Sequence, residues 1–236
     1  MRLLITRPSE DADALAQLLR ARGHVATVAP VMQVQQRDGP PLSLTKMQAV
    51  LATSANGIRA LARRTKRRSI PVYAVGPQTA EAAKSAGFKI VRNSEGDSAA
   101  LVEFVAERAD PTKGALLHAA GAETAGRLRQ ALQAKGFTVE IEVLYDAAPS
   151  SVLPENAKQA LEAGALDGVL LFSPRSAKTF ATLVSEAKLE SPCAALIAFC
   201  ISAATAAALA PLTFARVAVA GAPNQEGMLA LLSSAS

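Results

Sequence analysis

The residues of this chain with chemical potential lie in short turns built from small hydroxyl residues, glycine and arginine. Thr6-Arg7-Pro8-Ser9 closes one apolar run. Thr53-Ser54-Ala55-Asn56-Gly57, Gly76-Pro77-Gln78-Thr79 and Ser173-Pro174-Arg175-Ser176 close three more, and Ser202-Ala203-Ala204-Thr205 is a fifth. Turns of this kind cap helices, and their backbone N–H groups can approach an anion. Arg7 and Arg175 sit at strand ends, where a guanidinium is poorly placed for a core and well placed for a carboxylate or phosphate. The chemistry these residues imply is anion binding by amide, hydroxyl and guanidinium donors.

Other chemistries lack their residues. The chain has no Gly-Lys-Ser/Thr loop and no Gly-x-Gly-x-x-Gly fingerprint. His24 and His118 are too few for a multi-histidine metal site, and Cys193 and Cys200 too few for a four-cysteine one. No grouping of Cys, His and acid suggests a nucleophilic triad. His118 ends the apolar run Leu116-Leu117 and reads as a structural histidine rather than a base. The two thiols lie in Ala-rich surroundings and read as small core residues.

The elements that must position these turns follow from periodicity. Strands are expected at Arg2–Thr6, Val25–Ala29, Ala49–Thr53, Val72–Val75, Lys89–Val91, Ala115–His118, Thr138–Ile141, Gly168–Phe172, Ala195–Phe199 and Arg216–Ala220. Most are separated by helical spacing, such as Ala14, Leu15, Leu18 and Leu19 before the stop at Gly23. Alternation of strand and helix implies parallel sheets with helices on both faces, with ligands beyond the carboxyl ends of the strands. The chain also repeats. Residues 3–35 align without gaps on 116–148, and Val50-Leu51, Ser54 and Thr79-Ala80 recur as Val169-Leu170, Ser173 and Thr205-Ala206. Two similar α/β domains are expected, with Val31–Gln36 and Glu142–Ala147 as extended connectors.

Composition agrees with a folded α/β protein. Half of the 236 residues are hydrophobic, 4% are aromatic and none is Trp. The balance of 25 basic to 20 acidic residues gives a net charge of +5. Six of the basic residues, Arg59, Arg63, Arg64, Lys66, Arg67 and Arg68, fall in one acid-free run; without them the chain carries 19 basic against 20 acidic residues. The run reads as the solvated end of a helix starting near Asn56, complementing its dipole. The opening apolar run is too short for a signal peptide, and the uncharged stretch Ser191–Ala215 reads as a buried strand, a turn and an Ala-rich helix rather than a membrane span. A cytoplasmic protein with reduced thiols and no membrane insertion is expected.

Taken in order, the turns carry a pattern that resembles uroporphyrinogen-III synthase over essentially the whole chain. Its parts are Thr6-Arg7-Pro8, Thr53-Ser54-Ala55-Asn56-Gly57, Ala74-Val75-Gly76-Pro77-Gln78-Thr79-Ala80, Tyr145 before the second connector, and Phe172-Ser173-Pro174-Arg175-Ser176. Ile201-Ser202-Ala203-Ala204-Thr205-Ala206 departs from the family's Ile-Gly-Pro-x-Thr-Ala: the threonine is kept and the glycine and proline are not. The resemblance implies two flavodoxin-like parallel-sheet α/β domains joined by a two-stranded antiparallel linker, the chain crossing twice. Domain one would be 1–34 with 149–236 and domain two 38–144, with linkers about 31–37 and 142–148. It further implies a site between the domains, no metal or organic cofactor, and closure of the linear tetrapyrrole hydroxymethylbilane to uroporphyrinogen III with inversion of ring D and loss of water.

On that reading the partner is a bilane with eight carboxylates, the protein is a monomer, and nucleic acid is not a partner. Tyr145 is the candidate acid for the departing hydroxyl, because a phenol with a pKa near 10 still carries its proton at neutral pH. Arg7 and Arg175 would bind acetate or propionate groups. Thr53, Ser54, Asn56, Gly57, Gly76, Thr79, Ser173, Pro174, Ser176 and Thr205 would line the substrate with amide and hydroxyl donors. Two other classes compete. A two-domain hinge-type protein that binds an anionic small molecule without chemistry would share the double crossover. A nucleic-acid binder would need aromatic stacking partners, which are scarce here.

Overall fold

The computed structural model describes residues 1–122 and 126–233, so the last three residues of the expected segment 149–236 lie outside it. The chain opens with β1 (Arg2–Ile5), α1 (Ser9–Ala21), β2 (Val25–Val28) and β3 (Met32–Gln36). It continues through β4 (Met47–Ala52), α2 (Ala55–Arg64), β5 (Pro71–Ala74), α3 (Pro77–Ser85), β6 (Ile90–Asn93), α4 (Ser98–Arg108), β7 (Ala115–Gly121), α5 (Gly126–Ala134) and β8 (Val139–Pro149). Its last third holds α6 (Glu155–Glu162), β9 (Gly168–Leu171), α7 (Pro174–Glu186), α8 (Glu190–Cys193), β10 (Ile197–Cys200), α9 (Ala203–Ala207), β11 (Arg216–Val219) and α10 (Gln225–Ser233).

These elements form two compact units. Met1–Gln33 and Ala148–Ser236 make a discontinuous unit, and Val34–Ala147 makes a central one. The discontinuous unit carries a five-stranded sheet of order β11-β10-β9-β1-β2, parallel throughout. The second sheet has the order β3-β8-β7-β4-β5-β6 and is parallel from β8 to β6. β3 runs antiparallel to β8, since the Arg37 N–H donates to the Leu144 carbonyl and the Ser150 N–H to the Val31 carbonyl, one number rising as the other falls.

Covering a parallel sheet on both faces requires strands that are apolar throughout, and β7 and β9 are buried at every position. Successive residues serve opposite faces. Val50 and Leu117 pack with Ile58, Leu61, Ile70, Val72 and Phe88 under α2 and α3. Their neighbours Leu51 and Leu116 pack with Leu101, Val105, Leu128, Leu132 and Phe137 under α4 and α5. In the discontinuous unit Leu3, Ile5, Leu15, Leu19, Leu170 and Phe199 form the matching core with Met228 and Leu229. Truncating one of these leucines to alanine costs about 2–5 kcal/mol.

The repeat is visible in hydrogen bonds. α1 ends with the Gly23 N–H on the Arg20 carbonyl and the His24 N–H on Leu19; α5 ends with Gly136 on Gln133 and Phe137 on Leu132. Both glycines take positive φ, 81° and 86°, the left-handed stop that a side chain resists.

Two expectations are corrected. Thr138–Ile141 and Glu142–Ala147 are not strand and separate connector; β8 runs through both without a break. The basic run is not a solvated helix end either. Only Arg63 and Lys66 of the six are exposed. Arg64 donates to the Pro40 carbonyl and pairs with Glu142, and Arg67 donates to the Leu44 carbonyl. Arg68 lies over the Phe88 ring and donates to the carbonyls of Ala62, Thr65 and Ala86. These guanidiniums satisfy helix-end and loop carbonyls that would otherwise need water. The uncharged stretch holds β10, the Ser202 turn and the short Ala-rich helix α9, as expected. Among the described residues no helix is long and apolar enough to cross a membrane.

Candidate functional site

At the carboxyl end of β4 the chain turns into α2 through Thr53 and Ser54. Ser54 is the N-cap, in extended conformation, and its hydroxyl oxygen accepts the Gly57 N–H at 3.1 Å. That hydroxyl also lies 2.8 Å from the Tyr145 hydroxyl, so β8 and the β4–α2 turn meet through two side-chain oxygens. Tyr145 is 7% exposed. Two glycines make the approach possible. A Cβ on Gly121 would stand 2.6 Å from Cζ of Tyr145, and a Cβ on Gly57 would overlap the Ala119 carbonyl oxygen. The register shift between Ala120 and Gly121 brings Gly121 opposite Tyr145, whose carbonyl accepts the Ala122 N–H at 3.1 Å.

One position along, Thr53 Oγ1 lies 3.3 Å from Nε2 of His118. His118 is wholly buried in the middle of β7, its Nδ1 has no hydrogen-bond partner among the described residues, and burial pushes its pKa down to about 4. The structural reading of this histidine therefore holds only at one ring nitrogen. The other predicted residues of this unit stand nearby in sequence with separate contacts. Asn56 Oδ1 accepts from Arg59 at 2.9 Å. Gly76 is the N-cap of α3 and its carbonyl accepts the Ala80 N–H, with Thr79 buried behind it.

In the discontinuous unit the predicted residues are tied mostly to one another. Ser173 caps α7 by accepting the Ser176 N–H at 3.1 Å, and the two hydroxyls lie 2.9 Å apart. Pro174 opens the helix, where its missing N–H costs nothing, and Arg175 beside it is half-buried. Ser202 caps α9 by accepting the Thr205 N–H at 3.3 Å, with the hydroxyls 3.0 Å apart and Thr205 wholly buried. The loss of glycine at 202 changes little in the backbone, since Ser202 (φ −157°, ψ 163°) and Gly76 (φ −151°, ψ 170°) share one extended conformation.

Arg7 is held inside its own turn. It pairs with Asp11 at 3.0 Å and lies 4.4 Å over the Phe172 ring, with only 11% of its side chain exposed. Sequence reasoning named Arg7 and missed Asp11, since Arg7 lies before the first turn of α1 and the helical spacing rule does not reach it. It missed the fit of Gly121 against Tyr145, which no local pattern announces. A surface groove of about 460 Å³ lined by Arg22, His24, Leu229, Leu232 and Ser233 contains none of the predicted residues. Among the described residues no three His, Cys, Asp or Glu side chains cluster as metal ligands would.

Comparison with known proteins follows the same lines. A family model, HEM4, described as uroporphyrinogen-III synthase HemD, matches residues 13–230. Uroporphyrinogen-III synthetase from Helicobacter pylori 26695 is 18% identical, covers 100% of both chains and superposes with a TM-score of 0.65. A mutant uroporphyrinogen III synthase from the extremely thermophilic bacterium Thermus thermophilus is 17% identical over 100% of this chain and 98% of its own, with a TM-score of 0.52. At these identities the solved structures speak for the fold. Among curated proteins none gives a significant match.

Proposed function

The chain belongs to the uroporphyrinogen-III synthase family of cyclising lyases, which close hydroxymethylbilane in tetrapyrrole synthesis, and we propose that the central unit supplies the acid for this step through Tyr145. What supports the reading is the Tyr145 hydroxyl held 2.8 Å from the capped Ser54 hydroxyl at the carboxyl end of β4. The phenol protonates the departing hydroxyl of the hydroxymethyl group, so that the C–O bond breaks, water leaves and an azafulvene cation remains. Ring D attacks that cation through its substituted carbon, forming a spiro centre that fragments and recloses with the ring inverted. A proton lost from the ring system restores the phenol.

Direct closure without inversion is the easier path in solution. Selectivity therefore comes from holding one fold of a flexible bilane, and binding energy from its eight carboxylates offsets the ordering cost. Thr53, Ser54 and Asn56 with the amide at Gly76 serve as donors in the central unit; the Gly57 amide is taken by the Ser54 cap. Arg175 and the Ser173–Ser176 and Ser202–Thr205 turns serve in the other. Arg7 orders its turn through Asp11 and Phe172. The protein acts as a monomer in the cytoplasm. The test is to supply hydroxymethylbilane to the purified protein and separate the uroporphyrin isomers. Type III product above the protein-free control is expected; type I alone, at the control rate, contradicts the reading.

A further inference from the structure

Thr53 sits at the carboxyl end of β4, one residue before the serine that meets Tyr145, and its hydroxyl lies 3.3 Å from Nε2 of a wholly buried histidine. A neutral imidazole carries its proton on one nitrogen and offers a lone pair on the other. The two arrangements have opposite consequences here. With the proton on Nδ1, Nε2 accepts the Thr53 hydroxyl proton, and threonine then presents only lone pairs to a ligand. With the proton on Nε2, the ring donates to Thr53 Oγ1, and the threonine proton is left for an acceptor beyond the strand end.

The surroundings of the ring decide between them. Nδ1 is buried and has no partner among the described residues. A buried N–H without an acceptor is among the rarest and costliest orphans in folded proteins, whereas an unfilled lone pair is better tolerated. Burial also holds the ring neutral, so the two nitrogens cannot both be donors. Nothing in the fold asks for a histidine at this place. Leu51 pairs with His118 in the central sheet as Leu170 pairs with Ile5 in the other, and the equivalent apolar residue Ile5 is equally buried.

We propose that His118 is a positioning residue that holds its proton on Nε2, donates it to Thr53 Oγ1, and so fixes the Thr53 hydroxyl as an outward donor to a substrate carboxylate. The tautomer assignment stands on this protein alone; the carboxylate rests on the reading of Thr53 as a substrate donor given above. A buried histidine thus sets the polarity of the hydroxyl in front of it. Exchange of the proton to Nδ1 would turn the same threonine into a centre that repels carboxylate.

The test has two arms. In protein labelled with ¹⁵N-histidine only two rings contribute, His24 and His118, and His118→Gln assigns them. The proposal expects the His118 proton on Nε2; a proton on Nδ1 overturns it whatever the substrate. In the second arm KM for hydroxymethylbilane is compared in Thr53→Ala, His118→Ile and His118→Gln, with thermal unfolding to confirm that each is folded. The lost hydrogen bond raises KM about five- to tenfold in Thr53→Ala and His118→Ile with a smaller change in kcat, and the amide donor of His118→Gln restores it. A raised KM in Thr53→Ala beside an unchanged one in His118→Ile overturns the proposal. An unchanged KM in Thr53→Ala instead overturns the reading of Thr53 as a substrate donor, and the labelled rings still decide the tautomer.

Discussion

The two units repeat one design and differ in what they bury at matching places. In the central unit Leu51 is registered against His118; in the discontinuous unit Leu170 is registered against Ile5. On that correspondence Thr53 matches Phe172, His118 matches Ile5, and Tyr145 matches Met32. Ser54 and Ser173 match as N-caps, each accepting an N–H three residues on at 3.1 Å. Only their second contacts differ. Ser173 meets the hydroxyl of Ser176 within its own turn, whereas the third residue after Ser54 is Gly57, and Ser54 meets Tyr145 instead. The fold requires the cap in both units; it requires neither the phenol nor the histidine in either. Polar groups buried where the sister unit does well with Ile and Met carry a desolvation cost, and their presence in one unit points to chemistry there.

This contrast can be broken at several points. Gly121→Ala places a methyl group against the Tyr145 ring and forces it off Ser54. A displacement near 1 Å at a reacting group costs about 100-fold, so kcat/KM is expected to fall by about that factor in steady-state assays. An unchanged rate would separate Tyr145 from the reaction. The buried histidine gives a second contrast. Folded His118 takes up a proton only near pH 4, while the unfolded chain takes it up near 6.5, so between these values the unfolded state binds the extra proton. Stability is therefore full above about pH 6.5 and falls as pH drops towards 4, by an amount on the order of 3 kcal/mol. His118→Ile, which copies Ile5, should remove that part of the slope in denaturant titrations. The smallest expected effects separate the two caps. Ser54→Ala and Ser173→Ala should each lose about 1 kcal/mol in unfolding experiments, and only Ser54→Ala should also slow turnover.

Much of the fold is written in short-range pattern. The apolar runs at Leu3, Val50, Leu116 and Val169, with glycine stops at Gly23 and Gly136, are enough to read parallel α/β architecture, because strands covered on both faces leave no polar alternation. What escaped the pattern depends on distant partners. β8 extends through Glu142–Ala147 because β3 and β7 pair along its two sides. Arg64, Arg67 and Arg68 read as solvent-facing charges from composition, yet the carbonyls they bind come from segments up to 24 residues away, as with Arg64 and Pro40. The candidate site was legible as separate turns, since N-cap chemistry is local. That Ser54 would meet Tyr145, 91 residues on, and that Thr53 would meet His118, 65 residues on, follows from strand order rather than from spacing.

The most direct measurement compares Tyr145→Phe with Met32→Leu at the matching position of the other unit. Initial rates of uroporphyrinogen III formation and the ratio of type III to type I product are recorded for both, alongside thermal unfolding. Loss of an acid from the reaction predicts about a 100-fold lower rate for Tyr145→Phe, with unfolding unchanged and a larger share of type I product, and a near-normal rate for Met32→Leu. Equal rates and isomer ratios in the two variants would contradict the placement of the chemistry in the central unit.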